Sequence, residues 1–304
     1  MSTRITQAMI ARATLSDLQQ SADRLSRTQR KLASGQEITR PSDDPYGTSR
    51  ALNLRTELEG QRQLQRNVQD GQGWLTVTDT ALSQVTDVVQ RARELLVSGA
   101  SDSAGPTARN AMADEVDQLV ESLKQASNAA YGGRYVFSGT ATQTAPYAVG
   151  GADAYAGNGA TVAREIGPNV SVAINFDAHA LLGDGQSAGD GLLLDNLRDI
   201  SQHLRGGTTA DATALRGTDL RALDANLQNV LRVRAQVGAL ANRLESAGSR
   251  LAQLEETTTA LLSQVEDADM AKTITDYSTQ QSAYQSALRA GANIVQSSLL
   301  DFLR

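Results

Sequence analysis

Two histidines, His179 and His203, and no cysteine are all that this 304-residue chain offers for imidazole or thiol chemistry. A thiol nucleophile, a disulfide framework and a cysteine-bound metal are therefore excluded. Neither histidine belongs to an H-E-x-x-H pair, which would place two metal ligands on one helix face. A general base also needs a partner at hydrogen-bonding reach, and no spacing around either imidazole supplies one. Asp43-Asp44 is a carboxylate pair of the type used in acid–base catalysis. It stands immediately before Pro45, however, where an aspartate caps a helix whose first residue is proline, and capping explains the pair with fewer assumptions. The run Gly183-Asp184-Gly185-Gln186-Ser187-Ala188-Gly189-Asp190-Gly191 has the residue types of a calcium or phosphate loop. It lacks both the EF-hand ligand spacing and a G-K-[ST] ending, and reads as a flexible surface loop. The expectation is a protein that is not an enzyme, with no catalytic residues, no cofactor and no metal.

What the chain does have is helix seams. Val237, Leu240, Leu244, Ala247, Leu251, Leu254, Thr258, Leu261, Val265 and Ala268 follow one another at alternating steps of three and four with no proline between them, a heptad pattern. Leu220, Leu223, Leu227 and Val230 carry it upstream. The helix could thus run from Thr218 for about 48 residues, roughly 70 Å at 1.5 Å per residue. Such a helix cannot bury its own seam, so other long helices must lie along it. The composition agrees: 40% hydrophobic but 4% aromatic residues make a core of Leu, Val and Ala, suited to closely packed helices. A net charge of −6 and a pI near 5.1 leave no electrostatic footprint for nucleic acid. The N-terminus lacks the apolar run of a secretory signal and no segment approaches membrane-spanning length, so neither nucleic acid nor membrane is an expected partner. Physics alone predicts a cytoplasmic chain.

In chain order, a first seam runs through Ala11, Leu15, Leu18, Ala22, Leu25, Gln29 and Leu32 and ends at Ser34-Gly35. Gln36 to Asp44 is an extended connector, because Pro41 and Pro45 push their preceding residues out of the α region. A second helix reads from Pro45 through Leu96. Gly71 and Gly73 within it predict a bend, a close helix contact or a break, and Trp74 is expected in the core. A third helix carries Met112, Val116, Leu119, Val120, Leu123 and Ala126. Between Tyr131 and Gly191, two-residue alternation at Val162, Ile166, Val170, Val172, Ile174 and Phe176 predicts two strands around Gly167-Pro168-Asn169, with Asn158-Gly159 a further hairpin signal. A short helix near Leu192–Leu204, the long seam helix, a break at Glu266–Asp269 and a last seam helix (Ile274, Tyr277, Tyr284, Leu288, Val295, Phe302) complete the chain. The fold class is mainly α with a small β-rich insertion, an elongated rod of long antiparallel coiled-coil-like helices formed by both chain ends.

Leu32-Ala33-Ser34-Gly35-Gln36-Glu37-Ile38 followed by Arg40-Pro41-Ser42-Asp43-Asp44-Pro45 resembles the N-terminal signature of the bacterial flagellin family, in the variant of its hook–filament junction branch. Gly133-Arg134-Tyr135-Val136-Phe137-Ser138-Gly139-Thr140 is similar to that branch at the entry to its variable domain. So are Leu262-Ser263-Gln264-Val265-Glu266-Asp267-Ala268-Asp269, Gln280-Gln281-Ser282-Ala283-Tyr284-Gln285 and Ser298-Leu299-Leu300-Asp301-Phe302-Leu303 at the C-terminal end. Gln90-Arg91-Ala92-Arg93-Glu94-Leu95 resembles a patch that main-filament flagellins share.

The resemblance implies a flagellin-like structural component of the bacterial flagellum, joining the hook to the flagellin filament by helical subunit assembly. Residues 1–43 and 270–304 would form the inner-tube part, 44–130 and 192–269 the outer-rod helices, and 131–191 the outward insertion. Leu15, Leu18, Leu25, Leu32, Tyr284, Leu288, Val295, Leu299 and Phe302 would be the assembly seam. Gly35, Pro41, Asp43, Asp44 and Pro45 would form the joint, and Gln90, Arg91, Arg93 and Glu94 an inter-subunit patch. The implied partners are the first hook-associated protein, flagellin, copies of itself in the junction layer, and a type III export chaperone at the C-terminal segment. The implied location is extracellular, reached without a cleaved signal peptide. Main-filament flagellin, or a coiled-coil scaffold with no flagellar role, are the alternatives. The end segments Met1–Ala33 and Ile274–Arg304 have few large apolar residues for the backbone they must order, and are expected to be largely disordered until assembled.

Overall fold

The computed structural model describes residues 7–186 and 188–302. In chain order the elements are α1 Gln7–Ser34, α2 Pro45–Gly99, α3 Pro106–Ser127, β1 Ala130–Tyr131, β2 Arg134–Tyr135, β3 Ala163–Gly167, β4 Val170–Ala173, α4 His179–Leu182, α5 Leu193–Gly206 and α6 Thr209–Ala214. A π-helical turn, Leu215–Asp219, then leads into α7 Leu220–Glu266, and α8 Met270–Phe302 follows. The chain divides into two compact units, one drawn from Met1–Gln61 and Gln253–Arg304, the other from Arg62–Ala252.

In the first unit α1 and α8 pair antiparallel. The expectation of disorder in the end segments is thus not what the structure holds over their described residues: both are helical and joined, with the Thr28 hydroxyl donating to Gln280 Oε1 at 2.8 Å. The seam also runs one residue away from part of its expected course. Thr14, Leu18, Ser21, Leu25, Thr28 and Leu32 turn inward on α1, and Thr273, Tyr277, Gln280, Tyr284, Ala287 and Gly291 on α8, while Leu15, Gln29, Ile274 and Leu288 face solvent. The reason is the pairing itself. Gly291 leaves a hollow in which a β-carbon would come within 3.3 Å of Leu18 Cδ1 and 3.5 Å of Thr14 Cγ2, so Thr14, not Leu15, enters the interface. Small and polar residues there let the backbones approach; Leu18, Leu25, Leu32, Tyr277 and Tyr284 are half-buried among them, while Leu15, Ile274 and Leu288 point outward. Elsewhere in the unit, Ala51, Leu58 and Gln61 of α2 turn inward, as does Thr258 of α7, whose hydroxyl accepts from Gln61 Nε2 at 3.0 Å. Leu254, expected on the α7 seam, is exposed.

The second unit holds the large core, with Trp74, Leu75, Leu82, Leu96, Leu123, Leu193, Leu194 and Leu197 all essentially solvent-free. Helix α2 passes Gly71 and Gly73 without interruption, and the two glycines serve close contact. A β-carbon on Gly73 would lie 2.5 Å from Tyr131 Oη, and one on Gly71 3.0 Å from Leu244 Cδ1. Strands β1 and β2 form a hairpin that the sequence reading did not mark, turned by Gly132 and Gly133 at φ +56° and +75°. Strands β3 and β4 pair antiparallel, Ala163 with Ala173 and Arg164 with Val172, around Asn169 at φ +58°. Asn158-Gly159 is not a hairpin turn. No strand flanks it, because the Asn158 amide instead closes a loop, accepting the Thr140 N–H (2.9 Å) and donating to the Thr140 hydroxyl (3.0 Å).

A charge network ties this insertion to α3 and α5. Lys124 is wholly buried, with Nζ 2.8 Å from Glu121 Oε1, 3.1 Å from Asp153 Oδ1 and 3.1 Å from the Gly151 carbonyl. Arg198 of α5 holds Asp153 at 2.8 Å and Asp117 at 3.0 Å. Burial alone would raise the Asp153 and Glu121 carboxyls. For Asp153 the hydrogen bonds from Arg198 and Lys124 outweigh it, and for Glu121 those from Lys124 and the Gly150 N–H, so both lie below the ordinary carboxylate range.

Candidate assembly surface

The connector is built from its sequence outward. Gly35, at φ +71°, ends α1 in the left-handed conformation, its N–H bonded to the Lys31 carbonyl at 2.9 Å. The chain then forms an antiparallel bridge with the C-terminal break, Gln36 opposite Asp267. Glu37 N–H donates to the Glu266 carbonyl at 2.7 Å and Ala268 N–H to the Gly35 carbonyl at 2.9 Å. Asp43 folds the Arg40–Asp43 turn that contains Pro41, its Oδ2 accepting the Thr39 hydroxyl and the Arg40 N–H, each at 3.0 Å. The Thr39 hydrogen bond leads the causes that hold its carboxyl below the usual range. Asp44 Oδ1 accepts the Gly47 N–H at 2.9 Å, at the N-terminus of the helix that Pro45 begins. Arg55 reaches Glu266 at 2.8 Å. Gly35, Pro41, Asp43, Asp44 and Pro45 therefore belong to one local structure, together with Glu266, Asp267 and Ala268.

Of the residues expected on the assembly seam, Leu18, Leu25, Leu32 and Tyr284 are half-buried in the α1–α8 pair, and Leu15 and Leu288 stand outside it, 59% and 45% exposed. The side chains of Val295, Leu299 and Phe302 lie outside the described residues. Among the described residues, eight of the twelve exposed large apolar ones fall in the first unit, namely Met9, Leu15, Tyr46, Leu52, Leu254, Met270, Ile274 and Leu288, although that unit has little more than a third of the chain. A single exposed leucine means nothing, but five of these residues, Met9, Leu15, Met270, Ile274 and Leu288, lie on the two end helices. Leu15 follows Thr14, Ile274 follows Thr273 and Leu288 follows Ala287, so these three large apolar residues stand one position beyond the seam, among polar and small neighbours. Heptad counting put Leu15, Ile274 and Leu288 on the seams but had no means of telling which positions the chain would turn inward.

The patch at Gln90–Glu94 lies in the second unit and is largely engaged within the chain. Arg91 pairs with Glu115 (2.7 Å) and Glu94 (2.9 Å), and Arg93 with Asp224 (2.8 Å), leaving Gln90 as an exposed side chain. The histidines also have structural partners: His179 Nε2 lies 3.2 Å from Asp184, and His203 Nδ1 2.7 Å from Asp219. In the glycine-rich loop the carboxylates are spent on backbone, not held free for a ligand. Asp190 accepts the N–H groups of Asp184 (3.0 Å) and Leu192 (2.9 Å), and Asp195 that of Gly191 (2.9 Å). Those bonds give the loop an order that its composition did not suggest. Ser187 lies outside the described residues.

Two family models match the chain: the bacterial flagellin N-terminal helical region over residues 5–142 and the bacterial flagellin C-terminal helical region over residues 220–303. Among curated relatives, the flagellar filament 33 kDa core protein of Treponema phagedenis is 30% identical, covering 98% of this chain and 97% of that protein. Flagellar hook-associated protein 3 of Escherichia coli is 28% identical over 86% of this chain and 87% of its own length. Among solved structures, FlgL of Bacillus cereus superposes with a TM-score of 0.59 at 21% identity, covering 69% of this chain and 99% of that one.

Proposed function

Since the chain belongs to the bacterial flagellin family, we propose that it is a structural subunit of the flagellum that joins the hook to the filament, acting by subunit packing and not by catalysis. The observation that carries the assembly reading is the set of large apolar residues left uncovered on α1 and α8, namely Met9, Leu15, Met270, Ile274 and Leu288, beside a seam that mixes leucine and tyrosine with threonine, serine, glutamine, glycine and alanine. Single-chain pairing leaves that surface facing water, and burying a large apolar side chain is worth roughly 1.5–3 kcal/mol. Copies of the chain packed side by side would supply the cover. The aspartate-built connector and the C-terminal break it bridges serve in this reading as the joint between the end helices and the rest of the subunit.

Filament proteins and a hook-associated protein are matched at nearly equal identity, so main-filament flagellin is the second reading. The junction is favoured by the Arg40-Pro41-Ser42-Asp43-Asp44-Pro45 connector, by the terminal Ser298-Leu299-Leu300-Asp301-Phe302-Leu303, and by a fold match that spans nearly the whole of a hook-associated structure. The partners are then the first hook-associated protein on one side, flagellin on the other and copies of the chain within the layer. An export chaperone would bind the C-terminal segment before the subunit passes, without a cleaved signal, to the outside of the cell. Deleting the gene tests this. Cells should build hooks that lack filaments and release flagellin monomers into the medium. Normal filaments would refute the junction role, and hooks with a shortened supply of filament protein would favour the flagellin reading.

A further inference from the structure

The chain has no cysteine and four methionines, so the thioethers are its sole oxidisable sulfur. They are unequally placed. Met9 on α1 and Met270 at the start of α8 are 60% and 43% exposed, and both belong to the unit that concentrates uncovered apolar surface. Met112 on α3 is packed against the core of the other unit, and Met1 lies outside the described residues. Cores usually shelter methionine, which fills gaps in them. Here two are offered to solvent on helices whose proposed role requires an apolar exterior.

We propose that Met9 and Met270 are oxidation sites that switch the assembly competence of the free subunit, an inference that rests on the assembly role argued above. The oxidant is a peroxide. The thioether sulfur attacks one peroxide oxygen, an S–O bond forms as the O–O bond breaks, the sulfur loses two electrons, and the remaining oxygen leaves as water once it takes the transferred hydroxyl's proton. The product sulfoxide is polar and chiral and accepts hydrogen bonds. On a surface to be buried against a neighbour it would be left without a donor, which opposes burial. Once the subunit is packed, the same thioethers are shielded from the oxidant. Sensitivity therefore belongs to the unassembled chain, and methionine sulfoxide reductases, one for each sulfoxide epimer, restore it.

The experiment treats the purified full chain with hydrogen peroxide, follows oxygen uptake at each methionine by peptide mass spectrometry, and measures polymerisation by light scattering before and after. Met9 and Met270 should gain one oxygen each well before Met112. The oxidised chain should need an about tenfold or higher concentration to polymerise, and reductase treatment should restore it. The Met9→Leu/Met270→Leu variant keeps the apolar area and should polymerise after peroxide exactly as an untreated sample does; Met9→Gln/Met270→Gln should fail without any oxidant. Undiminished polymerisation of chain oxidised at both residues, or loss in the leucine variant as large as in the native chain, would overturn the proposal. Untreated chain that never polymerises would instead count against the assembly role itself.

Discussion

Two glycines inside long helices of the same unit should respond oppositely to alanine. Gly238 of α7 has nothing within 4 Å of the position a β-carbon would take. Gly238→Ala should therefore gain the helix-propensity difference of about 0.8–1.0 kcal/mol with nothing set against it. Gly73 of α2 faces Tyr131, whose Oη, Cζ and Cε2 would lie 2.5, 2.7 and 2.8 Å from the new methyl group. That tyrosine meets the Trp74 ring edge-on with centroids 6.3 Å apart. Gly73→Ala gains the same propensity term but must displace the ring. The displacement costs about 1–3 kcal/mol as overpacking and loosens an aromatic pair worth about 0.5–1.5 kcal/mol. The net is a loss of about 0.5–3.7 kcal/mol. For a unit of this size a change of 1 kcal/mol moves the melting temperature by about 2–4 °C, so the two variants should move it in opposite directions. Trp74, the one tryptophan of the chain, reports the transition by fluorescence in thermal or urea melts. Placing Gly73→Ala on a Tyr131→Ala background should turn its effect stabilising, which a double-mutant cycle reads directly. Equal stabilisation by Gly73→Ala and Gly238→Ala in the native background would refute the close-contact account of Gly73.

Acid should weaken the second unit through its charge network. Asp153 and Glu121 titrate below their ordinary range in the folded chain, so the stability they contribute is complete above the unfolded carboxylate pKa and is lost as pH falls through the lower folded values. Tryptophan-monitored acid unfolding should show this dependence, and Arg198→Met should shrink it. Lys124→Met, which takes from Asp153 and Glu121 one of their two cations and leaves them Arg198, should cost about 1–3 kcal/mol in urea melts at neutral pH. Asp44→Ala with Pro45→Gly removes the cap and the preset first residue of α2, the cap alone being worth about 0.5–2 kcal/mol; hydrogen exchange in the first turns of α2 should quicken, and swimming cells under viscous load should shed more filaments than wild type. Limited proteolysis of the isolated chain should trim α1 and α8 before it cuts between Pro45 and Val265, because most side chains on their shared seam are only half-buried. Survival of both end helices as long as the core would contradict this.

Much of the fold could be read from the sequence, since long helices announce themselves by period. The Ser34-Gly35 stop, the Asp44-Pro45 start, the break near Glu266 and the β3–β4 turn all rest on local backbone chemistry, and all lie where that chemistry puts them. Pairing was less legible. Nothing in α1 taken by itself says that Thr14 and Thr28 turn inward while Leu15 faces water; that depends on Gly291 and Gln280, more than two hundred and fifty residues away. The Lys124 network was invisible for the same reason, its members coming from α3, the loop near Asp153 and α5. The β1–β2 hairpin was missed because two-residue strands have no periodicity to detect, and the π-helical turn before α7 because a π-turn has no composition of its own.

The bridge between Gln36 and Asp267 has a mechanical meaning. A lone peptide strand swivels about its φ and ψ angles, so twist applied at one end is dissipated before it reaches the other. Here the end helices are tethered by two strands, clasped to each other by reciprocal hydrogen bonds at 2.7 and 2.9 Å. Two clasped strands can turn only by winding around each other, which must first break the clasp. In the joint role proposed above, such a tether would bend readily and resist twist, as a universal joint does.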